Sequence, residues 1–407
     1  MARAGTATVV ISSVVLGAAL AQTLGFTRFQ VVELAAVAPS ITPTPKSGEA
    51  PAIAFAFDGS MPMFRGNPGR TGENVGPAPL GRPIVAWKTF VGGESYASPV
   101  VAGDQVFVAT KGGSVIALRL VDGDELWRVD VGDYIARSTP AYGLDTLFVA
   151  AGYDLLAINA ENGERRWSVP LRFAGSCSPV LVGDTLYVAT QEGHVSAFTA
   201  SSGEELWHYR NDNLLFGSPA VSGDRVIIAD ESGQVTALDT SSGREVWQID
   251  VGEEVFATPA ISDGVAFVVT KEPSLIALDI ESGRELWRDQ VGGVSSAAIV
   301  DQTLYLGGDD QSLRAIDADS GEPLWSTPLG YAIESSATVS GTALFIASGP
   351  ALNAIDRANG RSLWTHVTGG TVTSDLAVVA GMVIAASHDG YIYALAAAEG
   401  SSDGKPG

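Results

Sequence analysis

The stretch ALDTSSGREVW at residues 237–247 is answered forty residues later by ALDIESGRELW at residues 277–287. Both run from an alanine through a glycine to a tryptophan, and the pattern extends along the chain. The tryptophans are Trp87, Trp127, Trp167, Trp207, Trp247, Trp287, Trp325 and Trp364, at intervals of 40, 40, 40, 40, 40, 38 and 39 residues. All but Trp87 have an alanine ten residues upstream and a glycine four upstream, from Ala117/Gly123/Trp127 to Ala354/Gly360/Trp364. A constant interval of this length marks one structural unit copied many times.

Within a copy, short apolar runs alternate with turn chemistry. The first full copy reads ASPVVAG (97–103), QVFVATK (105–111), SVIALRL (114–120) and ELWRVDV (125–131). Runs of this length, rich in Val, Ile and Phe and bounded by Gly, Asp and Ser, predict strands. Segments such as VDGDE and SSGEE predict hairpin turns, in which glycine supplies positive φ. Four strands in about 40 residues make one propeller blade. Helical hairpin repeats are excluded by the density of glycine and β-branched residues. WD40 blades are excluded because no Trp is followed by Asp.

The two ends of the array predict how it closes. Pro77 and Pro83 stand where Trp87 should have its alanine and glycine, while Ala394 and Gly400 begin a signature that reaches no tryptophan. The first unit is therefore a lone outer strand and the last is three strands without one. Joined, they complete an all-β, eight-bladed propeller of four-stranded antiparallel blades. Residues 84–91 pair with the strand around Tyr391–Leu395 as a latch, which removes exposed sheet edges.

The A-[LI]-[DN]-x-x-x-G-x-x-x-W signature resembles the tryptophan-docking repeat of the PQQ-like β-propeller superfamily. Arg119 and Thr199 depart from it at the third position. The segment MPMFRGNPGRTG (61–72) resembles the stretch that precedes the first blade in that superfamily, with Met61 in place of a common Trp. The superfamily includes quinone-dependent alcohol dehydrogenases and non-catalytic scaffold lipoproteins of outer-membrane protein assembly, and in character this chain is closer to the scaffolds. The resemblance implies that the tryptophans wedge between blades and stack on a neighbouring signature. Truncating such a buried ring to Ala costs about 3–5 kcal/mol.

Composition narrows the function classes. The 407 residues are 46% hydrophobic and 17% charged, with a formal net charge of −22. No basic stripe exists to neutralise phosphates, so nucleic acid is not an expected partner. The cysteine count is one, so no disulfide forms within the chain. The vicinal cysteine pair that the dehydrogenase resemblance implies has no counterpart, nor does the N-terminal lipidated cysteine of the scaffolds. Cys177 is read as a small buried residue. The equal spacing of the tryptophans leaves no room for the inserted loops of the enzymes. His194, His208, His366 and His388 fall in no catalytic or metal-binding motif. Asp309-Asp310 and the Asp317/Asp319 pair suggest calcium as an alternative, but the second pair belongs to the DADSGEPLW hairpin, where Asp favours turns. No catalytic residue and no cofactor is expected, and pyrroloquinoline quinone and calcium are disfavoured.

Residues 6–26, TATVVISSVVLGAALAQTLGF, are long enough to span a bilayer and also hold Ala19-Leu20-Ala21, a small-x-small cleavage pattern. The domain reading is a signal peptide or single transmembrane anchor at 1–28, a Pro-rich linker at 29–60, the propeller at 61–396 and a disordered tail at 397–407. Either N-terminal reading places the propeller outside the cytoplasm, as a monomer that is secreted or anchored to the cytoplasmic membrane by residues 6–26.

Innermost strands begin near Ser98-Pro99, Thr139-Pro140, Ser178-Pro179, Ser218-Pro219 and Thr258-Pro259. The residues just before these points differ from blade to blade: Tyr96, Arg137, Phe216, Phe256, Glu334 and Thr373, with Tyr134, Phe173, Glu254 and Tyr331 slightly earlier. Positions that vary inside a regular repeat are free of the packing constraint, and channel-mouth loops are where propellers present contacts. The candidate binding residues are accordingly Tyr96, Arg137, Phe216, Phe256 and Glu334, because aromatic and Arg side chains anchor interfaces. The expected function is a non-catalytic scaffold that binds envelope proteins or exposed peptides. The alternatives are a quinone-dependent oxidoreductase-like protein and a carbohydrate- or peptide-binding sensor.

Overall fold

The computed structural model describes residues 60–398 apart from 75, 133, 136, 272–273 and 292–294. The expectations for the signal or anchor segment, for nearly all of the linker and for the tail beyond Ala398 lie outside these residues. No described helix is long and apolar enough to cross a membrane.

Eight four-stranded antiparallel sheets form a closed ring. Blade 1 is built from Val100–Ala102, Gln105–Ala109, Ser114–Arg119 and Glu125–Asp130, from the channel outward. The inner strands of the next six blades are Ala141–Gly143, Val180–Val182, Ala220–Ser222, Ala260–Ser262, Ala298–Val300 and Thr338–Ser340. Blade 8 comprises Ala377–Val379, Met382–Ala386 and Tyr391–Ala397, and its outer strand is Pro83–Phe90 from the other end of the chain. The latch therefore forms as the sequence predicts, with Ile84 opposite Ala396 and Phe90 opposite Tyr391.

The second and third strands of each blade are buried almost throughout, so they read as continuous apolar runs rather than alternating ones. The outer strands alternate, with the tryptophan on the inner face. The core lies between blades: one cluster joins Ile227 and Val235 of blade 4 to Val268 and Ile276 of blade 5.

Each tryptophan bridges to the next blade. Trp207 Nε1 donates to Thr240 O at 2.8 Å and Trp247 Nε1 donates to Ile280 O at 2.9 Å. Trp364 donates to Pro79 O at 2.8 Å, carrying the series across the junction of the two chain ends. The signature glycine accommodates the ring of the preceding blade. Gly243 has φ +66°, and a Cβ there would stand 2.4 Å from Trp207. The signature alanine has another partner: Ala237 pairs in register with Trp247 of its own blade, beside a bulge. The signature aspartate holds the hairpin, since Asp239 Oδ1 accepts the backbone N–H and hydroxyl of both Ser241 and Ser242.

Candidate functional site: the channel and its mouth

Inner strands are edges, and their channel-facing backbone groups need partners. The segment MPMFRGNPGRTG supplies them. Its carbonyls at Met61, Pro62, Pro68, Gly69, Thr71 and Gly72 accept the N–H groups of Val101, Tyr142, Val221, Ile261, Ile299 and Val339. The chain thus runs once around the channel wall, touching one inner strand after another. Gly69 is required by this close approach, because a Cβ there would lie 2.8 Å from Ile261 O.

Arg65 and Arg70, both fully buried, project from this segment as spokes. Arg70 donates to Phe64 O, Ser178 O, Pro179 O and Pro219 O at 2.6–3.1 Å. Arg65 donates to Arg70 O at 2.7 Å and to Ala297 O. Burial pushes Arg70 down to about 9, with the neighbouring Arg65 charge adding to the effect. Burial likewise lowers Arg65 to about 10, against the opposing pull of Asp375. Sequence reasoning noted this segment but gave it no role.

Beside the spokes runs a closed belt. The backbone N–H of Ser98 donates to Thr139 Oγ1, Thr139 to Ser178, Ser178 to Ser218, Ser218 to Thr258, Thr258 to Ser296 and Ser296 to Ser336. Ser336 then donates to Asp375 Oδ1, and Asp375 N–H to Ser98 Oγ, which completes the circuit at 2.7–3.1 Å per bond. One hydroxyl per blade suffices until blade 8, where a carboxylate takes the place. Burial raises the Asp375 pKa, and Arg65 opposes the rise.

Two residues before each belt position stands one side chain per blade, and here uniformity ends. The described members are Tyr96, Arg137, Ser176, Phe216, Phe256, Glu334 and Thr373. Arg137, Phe216 and Glu334 are exposed, whereas Tyr96 and Phe256 are half-buried. Phe216 packs on Phe256 with ring centroids 4.9 Å apart. Tyr96 meets His388 at 4.4 Å, and its hydroxyl donates to Glu94 Oε2 at 3.0 Å. His388 Nε2 lies 3.0 Å from Thr373 Oγ1. Burial lowers the His388 pKa; Glu94 and Glu334 oppose this, while Arg137 and Lys111 reinforce it. The Tyr96 hydroxyl and Lys111 hold the Glu94 carboxyl below its usual range.

The structure thus gathers the candidate residues into two groups. Phe216 and Phe256 form an apolar one. Tyr96 joins His388, on which both Arg137 and Glu334 act, in a polar one. Phe173 belongs elsewhere, stacking on His194 at 4.5 Å. His194 Nδ1 lies 2.7 Å from His208 Nε2, a contact that sequence reasoning missed. The signal was a third and a fourth strand of one blade, whose register sets Ser196 opposite His208. Burial lowers both pKa values. A cavity of about 300 Å³ adjoins His194, lined also by Arg172, Ser196, Phe198 and Glu205. Cys177 is buried, and desolvation pushes its thiol up to about 12, which makes it a poor nucleophile.

Calcium beside a quinone calls for several oxygen donors around one point. Among the described residues no group of three or more His, Cys, Asp or Glu side chains is arranged to hold a metal.

A family profile described as "Outer membrane protein assembly factor BamB" matches residues 84–190, 113–218 and 191–402. The protein of that name from Shewanella oneidensis is 28% identical over 127 residues, covering 27% of this chain and 32% of the relative. The alignment thus spans about a third of that relative's length. Among solved structures, BamB from Moraxella catarrhalis superposes with a TM-score of 0.66 at 18% identity, over 77% of this chain and 99% of that one. A quinohemoprotein alcohol dehydrogenase from Pseudomonas putida HK5 gives 0.72 at 12% identity, over 86% and 82% respectively. At these identities the structures share the fold alone.

Proposed function

The chain belongs to the family described as outer membrane protein assembly factor BamB, and from that premise we propose that it is an exported, non-catalytic propeller scaffolding other proteins of the cell envelope. The observation that carries this reading is the contrast inside the channel. The seven described mouth positions carry aromatic, basic, acidic and hydroxyl side chains, while the belt beneath them repeats one hydrogen bond around the whole ring. A rigid frame displaying varied side chains suits recognition, and loops on such frames carry function. The relative's name speaks of assembly of outer membrane proteins. For this chain the same class of partner, envelope proteins or their exposed peptides, follows as the expectation.

The test is site-specific photo-crosslinking in native envelopes, with the reactive residue placed at Arg137, at Glu334 and, on an outer strand, at Arg166. Recovery of the same envelope protein from independent preparations supports the reading. Absence of any reproducible adduct overturns it. Dye-linked alcohol oxidation after addition of pyrroloquinoline quinone and calcium would overturn its non-catalytic part.

A further inference from the structure

The mouth carries a twofold repetition that an eightfold ring does not require. Blades 1 and 5 stand four apart in a ring of eight, on opposite sides of the channel. VGGESYASP (91–99) enters the first and VGEEVFATP (251–259) enters the second. In each, a glutamate, an aromatic two residues later and a lysine from the following hairpin form one unit. Lys111 N–H donates to Glu94 O and Lys271 N–H to Glu254 O, both at 2.8 Å. The ammonium groups reach Glu94 Oε2 at 3.3 Å and Glu254 Oε2 at 2.7 Å. They lie over the Tyr96 and Phe256 rings, 5.3 and 5.4 Å from the centroids. Each aromatic leans on a ring from the blade before it: Tyr96 on His388 at 62°, Phe256 on Phe216 at 53°. The supports also match, since Arg128 donates to Val91 O and pairs with Glu125, as Arg288 does with Val251 O and Glu285. Among the described residues no other blade carries the glutamate–aromatic–lysine trio.

We propose that these ring pairs are the two halves of one binding site for an extended peptide segment of a partner protein, laid across the channel mouth. An aliphatic or aromatic side chain of the peptide sits on Phe216 and Phe256, and a hydrogen-bonding side chain meets Tyr96 and His388. The assignment deepens the scaffold reading and rests on it for the origin of the peptide.

Four features carry it. Phe216 is 41% exposed, so the apolar pair is not consumed in packing. On the opposite pair the Tyr96 hydroxyl donates to Glu94 and His388 Nε2 meets Thr373, which leaves the phenol oxygen as an acceptor for a polar group. Each lysine is neutralised by its own glutamate, so binding depends on the rings rather than on net charge, and salt has little effect on it. The belt side chains and both guanidinium groups are buried, so the side chains a ligand can meet are those of the mouth. A peptide suits the two halves together better than a sugar, because only Phe216 keeps an open face for a pyranose, while an ammonium lies over Tyr96 and over Phe256. Two anchors on one chain act through effective concentration, so losing either lowers affinity steeply.

The test selects a displayed library of random linear peptides on the full chain, then measures the enriched peptides by calorimetry. They are expected to carry an apolar residue and a polar residue a few positions apart. F216A/F256A and Y96A/H388A should each weaken binding by roughly ten- to a hundredfold, and the fourfold variant should bind nothing measurable. F256Y, which keeps the ring, should retain binding, and unchanged melting of every variant excludes misfolding as the cause. Enriched peptides that bind both double variants like the unmodified chain overturn the site. So does binding of oligosaccharides on a glycan array when no peptide is enriched. Crosslinks confined to the outer strand sink this site and leave the scaffold reading intact. Peptides that cross the mouth of a protein with no envelope partner sink the scaffold reading and leave the site standing.

Discussion

The mouth of the channel and the segment that lines its wall rest on the same inner strands, and they spend their residues in opposite ways. In the lining, residues 61–72 meet the wall through backbone hydrogen bonds and two buried guanidinium groups. Only glycine or a particular arginine satisfies that geometry at several positions. At the mouth, the side chains stand clear of the belt and range from Phe216 to Glu334. Position in the ring is therefore separable from identity at the mouth and inseparable from it in the lining. Substitutions should sort the same way.

Removing residues 61–77 should have the largest effect. It orphans the six inner-strand N–H groups, each costing about 1–3 kcal/mol when buried and unpaired. That sum matches a whole domain's stability of about 5–15 kcal/mol. The truncated chain is expected to give no cooperative melt by circular dichroism, and a native-like transition would break the comparison. Next comes Arg70→Met, which leaves four carbonyls without their charged donor. A loss of about 3–5 kcal/mol in urea unfolding is expected, by analogy with breaking a buried charged network.

Acidification should act more mildly. His194, His208, His366 and His388 all titrate below the ordinary value of 6.5, chiefly through burial. Between the lowered folded values and 6.5 the unfolded chain binds more protons, so stability rises with pH across that window and falls as pH drops through it. Melting temperatures from pH 7.5 to pH 5 should decline, and His208→Gln should flatten the slope. Smallest of all, Arg137→Gln or Glu334→Gln should shift stability by no more than about 0.5 kcal/mol, as exposed sites do. A larger loss from either would mean that the mouth is structural after all.

The ring itself was legible because its evidence is local and repeated. Each tryptophan sits a fixed distance from its own turn, and the broken copies at the ends state how they join. The mouth residues were legible as deviations from that repeat. The lining was not, because Arg65 reaches Ala297 and Arg70 reaches Pro219, and no spacing in the sequence encodes such pairings. The belt was half visible: Ser-Pro and Thr-Pro dipeptides flagged its members, but each hydroxyl accepts from another blade. The division of the mouth into an apolar and a polar group needed the order of the blades and the tilt of the rings as well.

Closure by Pro83–Phe90 against Tyr391–Ala397 carries a consequence for biogenesis. The first described strand pairs with the last, so it finds its place only once the chain as far as Ala397 has been made. A product terminated before Tyr391 leaves it an unpaired edge, open to aggregation and proteolysis. A chain that stops short of Tyr391 cannot close the ring through this seam.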